Sequence, residues 1–147
     1  MSIEAIMSKK VVVTSVDASL ASLRAVFSDA HYQHVPVVDS MQRVVGIVSV
    51  KDFYKAISPV ADSASAQTAQ LFESGRKVRS IMTSPVVCVE PQTTIIAAAT
   101  LLIERNISCL LVTNAQQKLL GIVSWKDIMR LIVQRQHLKR RQQEEEE

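Results

Sequence analysis

The chain repeats itself: residues 6–57 align on residues 81–132 at a constant offset of 75, without a gap. A tandem repeat constrains architecture more than any single motif does. The match is tightest where GIVSVKD (46–52) falls on GIVSWKD (121–127). It extends outward through Ile6-Met7 over Ile81-Met82 and Val11-Val12 over Val86-Val87. Two copies are too few for a solenoid, and a unit of about 50 residues buries too little surface to be stable alone. The copies are therefore expected to fold against each other as one domain.

Within each copy the apolar periods read, in order, as a short strand, a helix, two strands joined by a tight turn, and a second helix. In the first copy these fall at 11–13, 19–29, 35–38, 44–50 and 51–57. Leu20, Leu23 and Phe27 recur at helical spacing and give the first helix a buried face. Residues 39–42 read as a turn, because Asp and Ser side chains hydrogen-bond the local backbone. In the second copy the elements fall at 86–89, 94–105, 108–112 and 119–125, followed by a helix from Lys126 to about Gln143. The helix at 94–105 is apolar on nearly every side, so its outer face meets either the other copy or another chain. Ser58-Pro59 is expected to end the first copy and 61–69 to form a polar connector. Leu71 and Phe72 suggest a short helix stopped by Gly75 as its C-cap.

The hydrophobic fraction of 48% and charged fraction of 21% describe an ordinary globule. Cys88 and Cys109 lie in apolar runs with no CxxC partner, and both read as small buried hydrophobes. The N-terminus has an acid at Glu4 and lacks the pattern of a secretory signal. No apolar stretch approaches a membrane span, and a cytoplasmic location is expected. The formal charge of +3 includes the four C-terminal glutamates, so the rest of the chain is more strongly basic. Its cations are scattered and aromatics are 4%, which argues against a nucleic-acid surface.

Signatures of nucleophilic, zinc-dependent or P-loop chemistry are missing, so no catalytic residues are assigned, no metal site is expected and the protein is read as a non-enzyme. The chemistry the copies share is GIVSxKD. One reading of Ser49 with Asp52, and of Ser124 with Asp127, is a capping box at the start of a helix. The other uses the same junction for a ligand, with amides and a hydroxyl for phosphate and a carboxylate for paired ribose hydroxyls. From these residues alone both readings stand. Lys51 and Lys126 are phosphate partners or exposed helix residues. Trp125 reads as a packing or subunit-contact residue.

Two copies of a unit opening IMS or IMT, continuing in the first copy through HVPVVD (34–39) and closing with GIVSxKD, resemble a tandem cystathionine-β-synthase (CBS) domain pair. The resemblance covers nearly the whole chain. It implies an α/β (α+β) fold of two β-α-β-β-α repeats about a pseudo-twofold axis, with two ligand clefts. It divides the chain into a first repeat at 3–57, a linker at 58–77, a second repeat at 78–132 and an extension with an acidic tail at 133–147. In the family, each cleft combines the Ser and Asp of one unit with the opening and central-strand segments of the other. Carried over, Ser49 and Asp52 join Thr83, Ser84, Pro85, Val87, Ile107 and Ser108 in the first-ranked cleft. Ser124 and Asp127 join Ser8, Lys9, Lys10, Tyr32, Gln33 and His34 in the second. Tyr32 and Gln33 are bulky where the family often has small residues, and Leu111 and Asn114 replace the usual Pro and Asp.

The function this implies is regulatory: binding of AMP, ADP or ATP, with S-adenosylmethionine a further candidate, and transmission of occupancy by a shift between arrangements. The resemblance also implies a homodimer; no cofactor is required, and since the sequence carries no catalytic or transport domain, a regulated partner, if there is one, is expected on a separate chain. A structural dimerisation module and a nucleic-acid-binding protein are the alternatives.

Overall fold

The computed structural model describes residues 1–29, 31–61 and 65–146. Its order is β1 (Thr14–Ser15), α1 (Leu20–Ser28), β2 (His34–Val38), β3 (Val44–Ser49), α2 (Val50–Ala61), α3 (Ala66–Gly75), β4 (Cys88–Val89), α4 (Ile95–Arg105), β5 (Cys109–Thr113), β6 (Leu119–Ser124) and α5 (Trp125–Glu146). The strands form two three-stranded sheets, ordered β1-β2-β3 and β4-β5-β6. This is the mixed α and β class that the repeat predicts.

The chain divides into two compact units whose boundaries cut across the repeats. One unit comprises 11–86 with 116–119; the other comprises 1–10, 87–115 and 120–147. In the first of these, β1 runs parallel to β2 and β2 antiparallel to β3. Leu20, Leu23 and Phe27 of α1 pack with Val35, Val37, Val48, Phe53 and Ile57 around Val78. Val78 comes from the opening of the second repeat. Its amide donates to Ala18 O at 2.8 Å, and Leu20 N donates to Arg76 O at 2.9 Å. The other unit has the mirror arrangement: Ile3 is buried with Ala98, Leu102, Leu110, Val112, Val123 and Ile128, and its amide donates to Thr93 O at 2.9 Å. Each unit thus holds the opening segment of the repeat that its sheet does not belong to.

The predicted turn at 39–42 is present. Asp39 Oδ1 accepts from the amides of Met41 and Arg43, each at 2.9 Å, and Gln42 takes a positive φ of 63°. Ser19 and Asp29 flank α1, and Thr94 caps α4 by accepting from Ala97 N.

Several expectations are corrected. The first strand of each repeat is only two residues and lies later than the valine run, at 14–15 rather than 11–13 and at 88–89 rather than 86–89. A strand is defined by pairing rather than by apolarity, and Thr14 and Ser15 are the residues in register with Val37 and Val38, whereas Val13 is 42% exposed. Helix α2 does not stop at Ser58-Pro59 but carries Pro59 within its last turn. Proline forfeits one bond, to the carbonyl of Lys55, and this side of the helix is exposed. Gly75 is the last residue of α3 rather than a left-handed cap, and the chain leaves through extended Arg76. Of the connector at 61–69, residues 62–64 lie outside the described residues and Ala66 onward belongs to α3. Helix α3 is anchored by Glu73, a buried carboxylate held by Arg24 of α1. Helix α5 continues past Gln143 to Glu146. Cys109 is buried, and burial pushes its thiol pKa up to about 12, but Cys88 is exposed. Helix α4 buries Ala98 and Leu102 on one face, while Ile96 and Ile103 stand 76% and 81% exposed.

Candidate functional site

The Ser-Asp pairs sit where a strand passes directly into a helix. In the unit containing β3, Ser49 is the last strand residue and Asp52 occupies the third position of α2. Asp52 N donates to Ser49 Oγ at 3.0 Å, and Ser49 N donates to Asp52 Oδ2 at 3.3 Å. In the other unit, Ser124 N donates to Asp127 Oδ2 at 2.8 Å and Asp127 N to Ser124 Oγ at 3.4 Å. Both are capping boxes, reciprocal bonds that satisfy two orphan donors at a helix start. The amides of Val50 and Trp125 are also used, donating to Gln33 O at 2.9 Å and Ser108 O at 3.1 Å. Amide capture of phosphate is thereby curtailed, and what these junctions offer a ligand is chiefly hydroxyl and carboxylate.

The opening segments line the free edge of each terminal strand. Thr83 and Ile47 exchange backbone bonds, at 2.9 Å from Thr83 N and 3.1 Å from Ile47 N, and Ser84 Oγ donates to Val45 O at 2.9 Å. Ser8 and Ile122 do the same at 2.9 and 3.0 Å. A glycine makes each approach feasible: a Cβ on Gly46 would lie 2.6 Å from Met82 Sδ, and one on Gly121 would lie 2.8 Å from both Met7 Sδ and Ser8 O. The Gly shared by both copies of GIVSxKD is thus a packing requirement as well as a signature. Thr83, Ser84, Pro85, Ser8, Lys9 and Lys10 are all exposed.

One set of residues is therefore assembled within each unit: Ser49, Asp52, Thr83, Ser84 and Pro85 in one, and Ser124, Asp127, Ser8, Lys9 and Lys10 in the other. Tyr32, Gln33 and His34 belong to the unit that holds Ser49, and Val87, Ile107 and Ser108 to the unit that holds Ser124. His34 is in register opposite Ser49. Burial lowers its pKa from 6.5, and the negative charge of Asp52 opposes that shift.

The two junctions are not equivalent. Ser124 Oγ also donates to Asp127 Oδ2 at 3.1 Å, and Arg130 Nη1 reaches Asp127 Oδ1 at 3.2 Å. The residue matching Arg130 in the first repeat is Lys55, and Asp52 forms no ion pair among the described residues. Arg130 was missed from sequence, although its spacing of three residues on a helix is a recognisable pairing distance. No cluster of His, Cys, Asp and Glu suited to a metal occurs among the described residues, and none of their helices is long and apolar enough to cross a membrane.

A family model described as CBS domain matches residues 3–59 and 78–134. The homoserine O-acetyltransferase of Methanococcoides burtonii is 30% identical over 131 residues, covering 89% of this chain but only 24% of that protein. Among solved structures, the CBS domain pair of protein MJ0100 with 5′-methylthioadenosine and S-adenosyl-L-methionine superposes with a TM-score of 0.75 at 23% identity, covering 92% of this chain and 98% of the other. CBSX2 in complex with AMP gives the same TM-score, identity and coverage.

Proposed function

The chain belongs to the CBS domain family, and from that premise we propose that it is a regulatory module, without catalysis of its own, that binds an adenosine-containing ligand at its two Ser-Asp junctions. The observation that carries this reading is the placement of Ser49 with Asp52, and of Ser124 with Asp127, beside an exposed opening segment with its own hydroxyls, Thr83 and Ser84 in one unit and Ser8 in the other. The carboxylate accepts from the paired ribose hydroxyls, and the hydroxyls and Lys9, Lys10 or His34 serve the rest of the ligand. The remaining members of the proposed ligand set, Val87, Ile107, Ser108, Tyr32 and Gln33, are assigned by the family pattern. Adenine nucleotides are the leading class and S-adenosylmethionine the next. Similar CBS pairs hold AMP in one case and 5′-methylthioadenosine with S-adenosyl-L-methionine in another. Occupancy acts by favouring one arrangement of the module over another, and the signal passes through a homodimer to a regulated partner.

The completed capping boxes favour a second reading, in which the junctions serve stability alone. Thermal unfolding with and without millimolar AMP, ADP, ATP or S-adenosylmethionine separates the two. A ligand at about 100 times its dissociation constant stabilises by about 2.7 kcal/mol, roughly 5–10 °C here. A selective shift that disappears in Asp52→Ala supports the ligand site. No shift with any of the four, together with a loss of only about 1 kcal/mol in the variant, supports the cap alone.

A further inference from the structure

We propose that Arg130 acts as a built-in competitor at the second junction, occupying the carboxylate oxygen that a ribose diol needs and making the Ser124/Asp127 site the weaker of the two. The inference rests on the ligand reading above and concerns how that site is regulated. A vicinal diol is held best by a carboxylate that can accept two hydrogen bonds in a fork. At the first junction Asp52 gives Oδ2 to Ser49 N at 3.3 Å and forms no ion pair with a lysine or arginine among the described residues, and the basic group its charge acts on, His34, is held toward the neutral form by burial. At the second, both oxygens are engaged. Asp127 Oδ2 receives Ser124 N at 2.8 Å and Ser124 Oγ at 3.1 Å, and Oδ1 receives Arg130 Nη1 at 3.2 Å. The serine differs as well: Ser124 spends its proton on Asp127.

Nothing in the helix forces this asymmetry. Arg130 lies three residues after Asp127 on α5, and its side chain is 64% exposed. Lys55 occupies the corresponding place on α2 without forming the pair. Because Arg130 is largely exposed, although Asp127 is only 15% exposed, a ligand can displace the guanidinium, and its effect is a bias in affinity rather than a block.

The test isolates the second junction in Asp52→Ala protein and measures AMP and ATP binding by titration calorimetry, then repeats the measurement with Arg130→Met and Arg130→Lys added. Removing the guanidinium is expected to tighten the residual site by up to about fivefold, the factor a pair with one exposed partner is worth at the surface end of its range. Lysine, which lacks the fork, falls between. An unchanged affinity in Arg130→Met overturns the proposal, and so does a weakened one, which would make Arg130 a ligand contact. If the unmodified protein binds nucleotide and Arg130→Met does nothing, only this inference falls. If the unmodified protein binds none of the ligands, the ligand reading falls and takes this inference with it.

Discussion

Glu73 is the most informative place to perturb the fold, because a carboxylate with 6% of its side chain exposed is held by a guanidinium that is 53% exposed. Arg24 Nε donates to Glu73 Oε2 at 3.0 Å and Nη2 donates to Oε1. The Arg24 guanidinium also lies 5.9 Å from the Phe53 ring centroid, so one side chain ties α1 to α2 and α3. The two partners are not symmetric. Arg24→Met strips both donors from a buried charge, and breaking a buried pair in this way costs roughly 3–5 kcal/mol. Water reaches Arg24's side of the pair, so the expected loss is smaller, about 2–3 kcal/mol. At 2–4 °C per kcal/mol for a chain of this size, the midpoint should fall by about 4–12 °C. Glu73→Met removes the buried charge and leaves an exposed arginine, for a loss of about 1 kcal/mol or less. The double variant should lie close to Glu73→Met, with a coupling of about 2–3 kcal/mol, the whole of the Arg24→Met loss, in a urea-unfolding cycle. Equal single losses that add without coupling would refute the account and make the pair incidental to the docking of α3.

Two further outcomes follow from the packing and from titration. Gly121→Ala should lose about 1–3 kcal/mol, because the new methyl meets the carbonyl of Ser8, whereas Gly46→Ala should lose less, because its closest neighbour is the flexible end of Met82; equal losses by calorimetry would contradict this. Burial holds His34 below 6.5, so the unfolded chain takes up that proton first, and stability falls as pH drops through 6.5. His34→Gln should flatten that part of the stability profile, and an unaltered slope would rule His34 out as its source.

What the sequence makes legible here is local. Leu20, Leu23 and Phe27 mark their helix because one face repeats every three or four residues, and Asp39 marks its turn because its carboxylate can satisfy two nearby amides by itself. Ser49 with Asp52 and Ser124 with Asp127 are visible for the same reason: a capping box is complete within four residues. What is hidden depends on partners distant in sequence. The opening residues Ile3 and Val78 occupy corresponding places at the starts of the two repeats, and nothing in either reveals that Ile3 is buried beside α4 and Val78 beside α1. Glu73 reads as a solvated position in a short helix until Arg24, 49 residues away, is brought against it. The position of β1 is hidden because three valines are more apolar than the Thr14 and Ser15 that pair, and strand pairing selects register rather than hydrophobicity.

The exchange of opening segments affects how the chain must come together. Met1–Lys10 leaves the ribosome before any of its partners in the unit that also contains Val87–Ala115 and Leu120–Glu147. It is made well before the segments it pairs with, and closing so long a loop slows folding. The unit built on Val11–Val86 lacks only Gln116–Leu119 when Val86 has emerged, so it can take shape first. The same geometry makes the repeat boundary a poor place to cut. A fragment ending at residue 77 would carry an orphaned Ile3 and lack Val78 and Thr83, whereas one spanning 11–86 keeps its own core.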